Sequence, residues 1–218
     1  LVSRALQLPV ESPLRVHLAM NGPLEAWTGR LEVACGPDVL LQGDQTIAVV
    51  DDRIDADVRL RFTPTPGLVP PAAEAIAVDG VDLLLRAGLV DRQRVEIAEA
   101  RVTARGVDLH ASGSADFDAQ ELDLAVRVQA PEVAELLPEQ GISGAVDVDV
   151  RLTGALRHPA AALRFAVANL VASDVTVARA DGELALAWEP DATGAPTATA
   201  VGSGAIHGLV REGLPEAL

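Results

Sequence analysis

The chain has 218 residues, a net charge of −15 and 49% hydrophobic residues, although only 2% are aromatic. Its seventeen basic residues, all arginine, face thirty-two acidic ones, which argues against nucleic acid and anionic lipid headgroups as partners. No apolar run approaches the roughly 18 residues that a membrane-spanning helix needs. The single Cys35 cannot form an internal disulfide, and its place beside Val33 in an alternating run predicts a small buried side chain.

The first third of the chain alternates apolar and polar residues. Strands are predicted at residues 13–21, 29–35, 39–41, 45–50 and 53–62, with a turn at Asp51-Asp52. Residues 63–78 contain four prolines, which forbid a central strand but permit a short helical turn. Similar proline-bounded phrases recur at 131–140 and 214–218.

The middle of the chain predicts four more strands, at 81–86, 95–105, 107–117 and 122–128. Residues 145–188 then hold three or four further alternating runs, separated by Gly, Pro and Asp. Residues 188–194 are predicted to form a polar loop. Because alternate residues of a strand point to opposite faces, each run has one apolar face and one polar face.

The beginning of the chain and this later stretch share an internal repeat. Leu14, Val16, Leu18 and Met20 correspond to Val146, Val148, Val150 and Leu152, each pair separated by 132 residues (146 minus 14). The same offset relates Leu31, Val33 and Cys35 to Leu163, Phe165 and Val167, and the linkers at 22–24 and 154–156 agree. Shared turn spacing makes this a repeat of structure as well as of alternation.

About a dozen strands without a long helix predict an all-β fold, and the short connections predict mostly antiparallel pairing. A sheet with one apolar face must fold into a sandwich, close into a barrel or curl into an open trough. A trough leaves the face available for an apolar ligand. Smooth Val, Leu and Ala walls suit an acyl chain that slides.

The run VDVDVRLTGALRHPAAALRFAVANL, the later VTVARADGELALAW and the phrase PEVAELLPEQG before SGAVDVDVRL carry a resemblance to a known family. They are similar to the C-terminal half of TamB proteins, members of the AsmA-like group of repeating β-groove proteins. The resemblance implies a long, mostly antiparallel sheet of repeated strands. It is curled into an open groove (β-taco) with an aliphatic interior, and short proline-bounded helical turns lie between the repeats. The chain is then expected to be one fragment, 1–218, of a longer protein, with approximate repeat units 13–79, 80–144 and 145–218.

The resemblance also implies a function. The expected role is phospholipid transport between inner and outer membrane in the periplasm of a Gram-negative bacterium, with support for outer-membrane protein assembly. The full-length protein is expected to be anchored in the inner membrane and to meet a TamA-like barrel partner through regions outside this fragment. Edge-to-edge self-association of the fragment is also expected.

The family supplies no catalytic residues, only an apolar set that lines the groove. On this expectation the acyl chains contact Leu14, Val16, Leu18, Met20, Leu31, Val33, Val58, Leu60, Phe62, Leu124, Val126, Val146, Val148, Val150, Leu152, Leu163, Phe165, Val167, Leu184 and Leu186.

Motifs for catalysis, metal or cofactor binding are weak. His17, His110, His158 and His207 are scattered without metal-ligand spacing. Asp147 and Asp149 fit a solvated strand face better than a carboxylate pair. The Gly-Ser phrases at 112–114 and 202–204 do not open a helix, as a phosphate or nucleophile loop would. We therefore expect no enzyme, no metal and no cofactor.

Two other functions stay open. In one, the protein is a chaperone-like scaffold that binds nascent outer-membrane barrel strands by β-augmentation, which requires an accessible edge strand. In the other, it is a closed β-solenoid stalk without a ligand.

Overall fold

The computed structural model describes residues 13–23, 25–36, 38–64, 74, 76–136, 140–190 and 196–211. Twelve β-strands form one sheet whose strand order is the order of the sequence. The described strand pairs are antiparallel, so the predicted all-β antiparallel fold is confirmed. The sheet is open, because β1 and β12 each have a single neighbouring strand. It is therefore not the closed coil that a β-solenoid stalk requires.

The strands are 8 to 16 residues long. Their bounds are β1 Leu14–Asn21, β2 Ala26–Cys35, β3 Asp38–Val50, β4 Arg53–Phe62, β5 Val81–Val90, β6 Arg94–Ala104, β7 Val107–Asp116, β8 Glu121–Ala130, β9 Ile142–Ala155, β10 Ala160–Ala172, β11 Val175–Pro190 and β12 Pro196–Arg211.

Two of these strands are longer than the sequence pattern predicts. The segments 39–41 and 45–50 are joined in β3, and two of the alternating runs of 145–188, one beginning at Val175 and one including Leu184 and Leu186, are joined in β11. The predicted breaks were wrong, because the glycine inside each strand stays paired with the neighbouring strand. Gly43 pairs with Leu31, and Gly182 pairs with Phe165.

The predicted helical turns lie partly outside the described residues. Within 131–140, Val133–Glu135 form a 3₁₀ turn, and the Ala134 N–H donates to the Glu132 side chain. Within 63–78 the residues at 74, 76 and 77 are helical. The phrase at 214–218 lies outside the described residues. The first three residues of the predicted polar loop, 188–190, belong to β11 instead, and 191–194 lie outside the described residues.

The chain divides into two compact units. The first unit is Leu1–Ser112 and contains β1 to β6 with the first part of β7. The second unit is Gly113–Leu218 and contains the end of β7 and β8 to β12. Each unit presents an apolar and a polar face of its own part of the sheet.

The internal repeat is preserved in the strand register. In the β1–β2 hairpin Leu18 pairs with Leu31, and in the β9–β10 hairpin Val150 pairs with Leu163. These two pairs are related by the offset of 132 residues. The two hairpins are therefore equivalent in which residues face each other.

The turns of the two hairpins also match. The Ala26 N–H donates to the Pro23 carbonyl over 3.1 Å, and the His158 N–H donates to the Ala155 carbonyl over 3.0 Å. The four residues are related by the same offset. Matching turns hold the two hairpins in the same register, as turn geometry does in hairpins generally.

Glycine substitutions test how closely the strands of the first unit pack. A Cβ at Gly43 would collide with the Arg59 carbonyl of the neighbouring strand and lie 2.7 Å from the Leu60 Cα. A Cβ at Gly88 would lie 2.6 Å from Nη2 of Arg53, the end of a flexible side chain. We expect Gly43→Ala to lower the free energy of unfolding by about 1–3 kcal/mol.

Gly88→Ala is the matched control. We expect it to cost under about 1 kcal/mol, because Arg53 is exposed and its ion pairs are weak. Urea unfolding followed by circular dichroism measures both variants. Equal losses in the two variants would contradict the packing at Gly43.

Candidate functional site

The apolar side chains of the first unit lie on one face of the sheet. Along one row, Val16 pairs with Val33, Val33 with Leu41 and Leu41 with Phe62. Paired residues of antiparallel strands point to the same face. Parallel rows place the other predicted residues of this unit on that face as well: Leu14, Leu18, Met20, Leu31, Val58 and Leu60.

The second unit repeats this arrangement. Val126 pairs with Val150, Val150 with Leu163 and Leu163 with Leu184. The remaining predicted residues of this unit lie on the same face, in adjacent rows: Leu124, Val146, Val148, Leu152, Phe165, Val167 and Leu186. The structure thus brings the predicted set together as two groups, nine residues in the first unit and eleven in the second. We call these groups the first and second apolar faces.

None of the twenty predicted residues is buried. Val16 is 63% exposed and Phe165 is 36% exposed. The buried hydrophobic residues that the structure describes are only Ala34, Cys35, Leu40, Ala77, Ala130, Val133 and Val177. Within the described residues no large side chain is fully buried. The apolar faces are therefore packed within the sheet but not covered by a second layer of described residues.

The buried residues include a small cluster at one end of the first apolar face. Cys35 and Leu40 are buried together, and Phe62 packs against them. The Thr63 N–H donates to the Leu40 carbonyl over 2.8 Å, which holds the end of β4 beside β3. The prediction that Cys35 is a small buried side chain is confirmed.

Further residues lie on the apolar faces beside the twenty predicted ones. Trp27 shares a row with Ile47 and Ala56, and Trp188 is 44% exposed in the row beyond Leu186. The alternation of the sequence places Trp188 with Leu184 and Leu186, and the alternation of β2 could have placed Trp27 with Leu31. Others on the same faces are Leu41, Val49, Ile54, Leu83, Leu85, Leu89, Val95, Ile97, Val102, Leu122, Val128 and Ile206.

The opposite face of the sheet carries the charged side chains, paired across strands. Arg86 contacts Asp57 at 3.1 Å and Glu99 at 3.0 Å, so one guanidinium joins β4, β5 and β6. Arg53 similarly contacts Glu96 at 3.0 Å, two strands away. These pairs are exposed, and exposed ion pairs contribute little stability. Their consequence is that the charged face stays hydrated.

A cavity of about 800 Å³ lies on the charged face of the first unit. Arg61 lies in its wall and donates to the Asp82 carboxylate at 2.9 and 3.0 Å. The remaining lining is mainly Arg30, Asp44, Arg59, Arg86 and Arg101. The wall also includes Leu60, Leu83 and Leu84, and its arginines contact carboxylates, so the cavity is not an open cationic site.

In the second unit the charged face centres on Asp147. Arg127 donates to its Oδ2 at 2.5 Å, and the Gln129 amide donates to the same oxygen at 2.9 Å. The hydrogen bond from Arg127 lowers the pKa of Asp147, although partial burial opposes this shift. Asp149 is exposed, whereas the Oδ1 atom of Asp147 is buried and has no hydrogen-bond partner among the described residues.

Arg127→Gln tests this assignment. Losing the guanidinium raises the pKa of Asp147 toward its usual value of about 3.9. A lowered pKa stabilises the fold above the ordinary value and loses that contribution as pH falls through the folded-state pKa. The variant should therefore be less stable than the wild type at neutral pH, and the difference should shrink at acidic pH, as the pH falls through the lowered pKa of Asp147.

Carboxyl-carbon NMR titration of Asp147 measures the pKa, and urea midpoints at the two pH values measure stability. Arg164→Gln is the matched control, because Arg164 pairs in register with Asp149 rather than Asp147. An unchanged pKa of Asp147 in Arg127→Gln would contradict the assignment.

The two outer strands of the sheet are exposed along their length. All eight residues of β1 are exposed, and so are residues 197–211 of β12. Within the described residues neither strand has a neighbour on its outer side. A strand edge of this kind presents backbone N–H and C=O groups that can pair with another strand.

Metal-binding geometry is not found in the part of the chain that the structure describes. No group of three or more His, Cys, Asp or Glu side chains there is arranged to hold a metal ion. His17, His110 and His207 lie on β1, β7 and β12, and His158 lies in a turn. No described helix has the length and apolar character needed to cross a membrane.

Comparison of the chain with protein-family models, with curated proteins and with solved structures finds no match in any of the three. The resemblance to TamB therefore stays a prediction from the sequence. The apolar faces and the open edges are the features from which a function is argued.

Proposed function

We propose that the chain is a segment of a lipid conduit, in which the apolar faces of the sheet shield acyl chains from water. The observation that supports this proposal is that the twenty predicted side chains form two apolar faces and none of them is buried. Exposed apolar surface of this continuity marks a binding site in a soluble protein. Curling of the sheet into an open groove around the acyl chain is part of this proposal.

The dimensions of each apolar face fit an acyl chain. From Val146 to Leu152 a strand rises roughly 20 Å, and the four strands from β8 to β11 span roughly 14 Å at about 4.8 Å spacing. Transferring about fourteen methylenes from water contributes on the order of 11 kcal/mol at ~0.8 kcal/mol each. Burial of apolar surface is therefore sufficient to bind an acyl chain of this length.

The chemistry of the faces favours sliding over fixed recognition. The faces are mainly Val, Leu and Ala, and the charged residues of the same strands lie on the opposite side. Polar groups that would fix one ligand orientation are therefore few. With a net charge of −15, contact with anionic headgroups is unfavourable, so acyl chains are the expected point of contact.

The wider setting follows from the resemblance and belongs to the same proposal. The conduit would lie in the periplasm, as part of an inner-membrane-anchored protein that passes phospholipid toward the outer membrane. It would also support assembly of outer-membrane proteins with a TamA-like barrel partner.

Native mass spectrometry of the purified chain, followed by solvent extraction and lipid analysis, tests the proposal. We expect bound phospholipid or uptake of a fluorescent acyl probe. A mass without lipid, together with no probe uptake, would overturn the proposal.

Val150→Arg places a charge in the middle of the second apolar face. We expect at least tenfold weaker acyl-probe binding with an unchanged circular dichroism spectrum, because a guanidinium against an acyl chain loses its hydration. Ala166→Arg is the control: Ala166 is exposed and pairs with Asp147 and Asp181 on the charged face. Wild-type binding by Val150→Arg would remove the main support for the conduit.

The two tryptophans report where an acyl chain lies. Trp27 is on the first apolar face and Trp188 on the second, and the sequence contains no others. Fatty acids brominated along the chain should quench both fluorophores, and Trp27→Phe and Trp188→Phe should isolate each signal. Binding without quenching of either tryptophan would place the acyl chain away from both faces.

A second candidate function is strand addition to nascent outer-membrane proteins. The open edges at β1 and β12 favour it, because backbone groups along an edge pair with an extended peptide without requiring an apolar ligand.

A further inference from the structure

Half of the backbone groups of β1 point away from β2. The Gly36 N–H donates to the Pro13 carbonyl over 3.3 Å, which places residue 13 in a hydrogen-bonded pair with β2. Hydrogen-bonded and non-hydrogen-bonded pairs alternate along an antiparallel strand. The outward N–H and C=O groups therefore belong to Leu14, Val16, Leu18 and Met20. We call this row the outer edge of β1.

The repeat shows what the equivalent edge does elsewhere in the sheet. The Leu156 N–H donates to the Gln120 carbonyl over 2.9 Å, in the register that pairs β8 with β9. By the same alternation, the even-numbered residues of β9 bond to β8. They are Val146, Val148, Val150 and Leu152, the counterparts of the outer edge of β1. The edge of β9 is thus occupied by β8, whereas the equivalent edge of β1 has no neighbouring strand within the described residues.

The charges beside the two edges are reversed. On β9, Asp147 and Asp149 face Arg127 of β8, at 2.5 and 3.8 Å. Their counterparts on β1 are Arg15 and His17. Arg15 donates to the Gly36 carbonyl, and no described carboxylate lies within ion-pair distance of it. At Arg15, a strand that pairs with β1 in this register would meet a cation where β8 meets the Asp147 carboxylate.

We propose that the outer edge of β1 binds an antiparallel β-strand in the register of β8 on β9, with carboxylates opposite Arg15 and His17. Aliphatic residues of this strand lie opposite the outer edge. Opposite charges directly across two strands stabilise the pair, and like charges destabilise it. The inference deepens the strand-addition function by naming its edge, register and charge, and it is independent of acyl-chain binding.

Two synthetic peptides test the proposal with the full chain. The acidic peptide has the sequence of β8 with Arg127→Glu and Gln129→Glu, the positions that fall opposite His17 and Arg15. The control peptide has the unaltered sequence of Glu121–Ala130, which places an arginine opposite His17. Fluorescence anisotropy measures both affinities. We expect about tenfold tighter binding of the acidic peptide.

Amide hydrogen exchange locates the bound peptide. The N–H groups of Leu14, Val16, Leu18 and Met20 should exchange rapidly in the protein alone and become protected with the acidic peptide. Slow exchange of these groups without peptide would show that the outer edge is already occupied, and would overturn the proposal. Absence of binding, or equal binding of the two peptides, would overturn it as well.

N-methylated peptides separate backbone pairing from nonspecific adhesion without altering the protein. Methylation at the position of Val126 or Val128 removes an N–H that would bond to β1, so binding should be lost. Methylation at the position of Ala125 or residue 127 blocks only an outward N–H, so binding should persist. If methylation at both sets of positions weakened binding equally, the proposed register of the peptide on β1 would be ruled out.

The charge assignment has its own reciprocal test. Arg15→Glu should weaken the acidic peptide and strengthen the control peptide, and equal affinities in this variant would refute the assignment. A peptide from an outer-membrane barrel strand that slows amide exchange in β12 but not in β1 would overturn this inference, although strand addition would remain as a function. Acyl-probe uptake is unaffected by any of these outcomes.

Discussion

The two-residue period of the strands, carried through the register of each described strand pair, is the constraint on which the rest of the structure depends. Because paired residues share a face, aliphatic rows such as Val126–Val150–Leu163–Leu184 continue from strand to strand, and the charged residues lie on the opposite side. A slip of one residue at any hairpin would move a strand's aliphatic side chains into the charged face. The registers of β1–β2 and β9–β10, repeated 132 residues apart, show that this constraint is met twice in the same way.

A single sheet that separates its faces this well cannot bury the apolar one by itself. The described residues supply only short helical turns and a few buried side chains, such as Cys35 and Leu40, and these cover one end of a face rather than its length. The cross-strand ion pairs, for example Arg86 with Asp57, keep the other face in water but contribute little to stability. The apolar rows, none of them buried, are therefore the feature that the proposed acyl-chain binding explains.

The same open architecture leaves backbone groups unpaired at the outer strands. β1 and β12 are exposed along their described lengths, and β1 is the counterpart of a strand that elsewhere accepts a neighbour. The equivalent edges of β1 and β9 have the same backbone register, but they differ in charge, since Arg15 stands where β9 has Asp147. Apolar face and strand edge are distinct surfaces, so acyl-chain binding and strand binding are compatible in one protein.

The sequence by itself determined the fold class, the number of strands, the repeat and the division into apolar and charged faces, because alternation is a local property of an extended chain. It also placed the twenty predicted apolar residues on shared faces. It failed where local cues mislead, because the breaks predicted between 41 and 45 and between the runs of 175–188 lie inside β3 and β11. Only the tertiary structure decided the register of each strand pair and that the faces remain uncovered by the described residues. Those facts depend on pairing between residues distant in the chain, which no local period encodes.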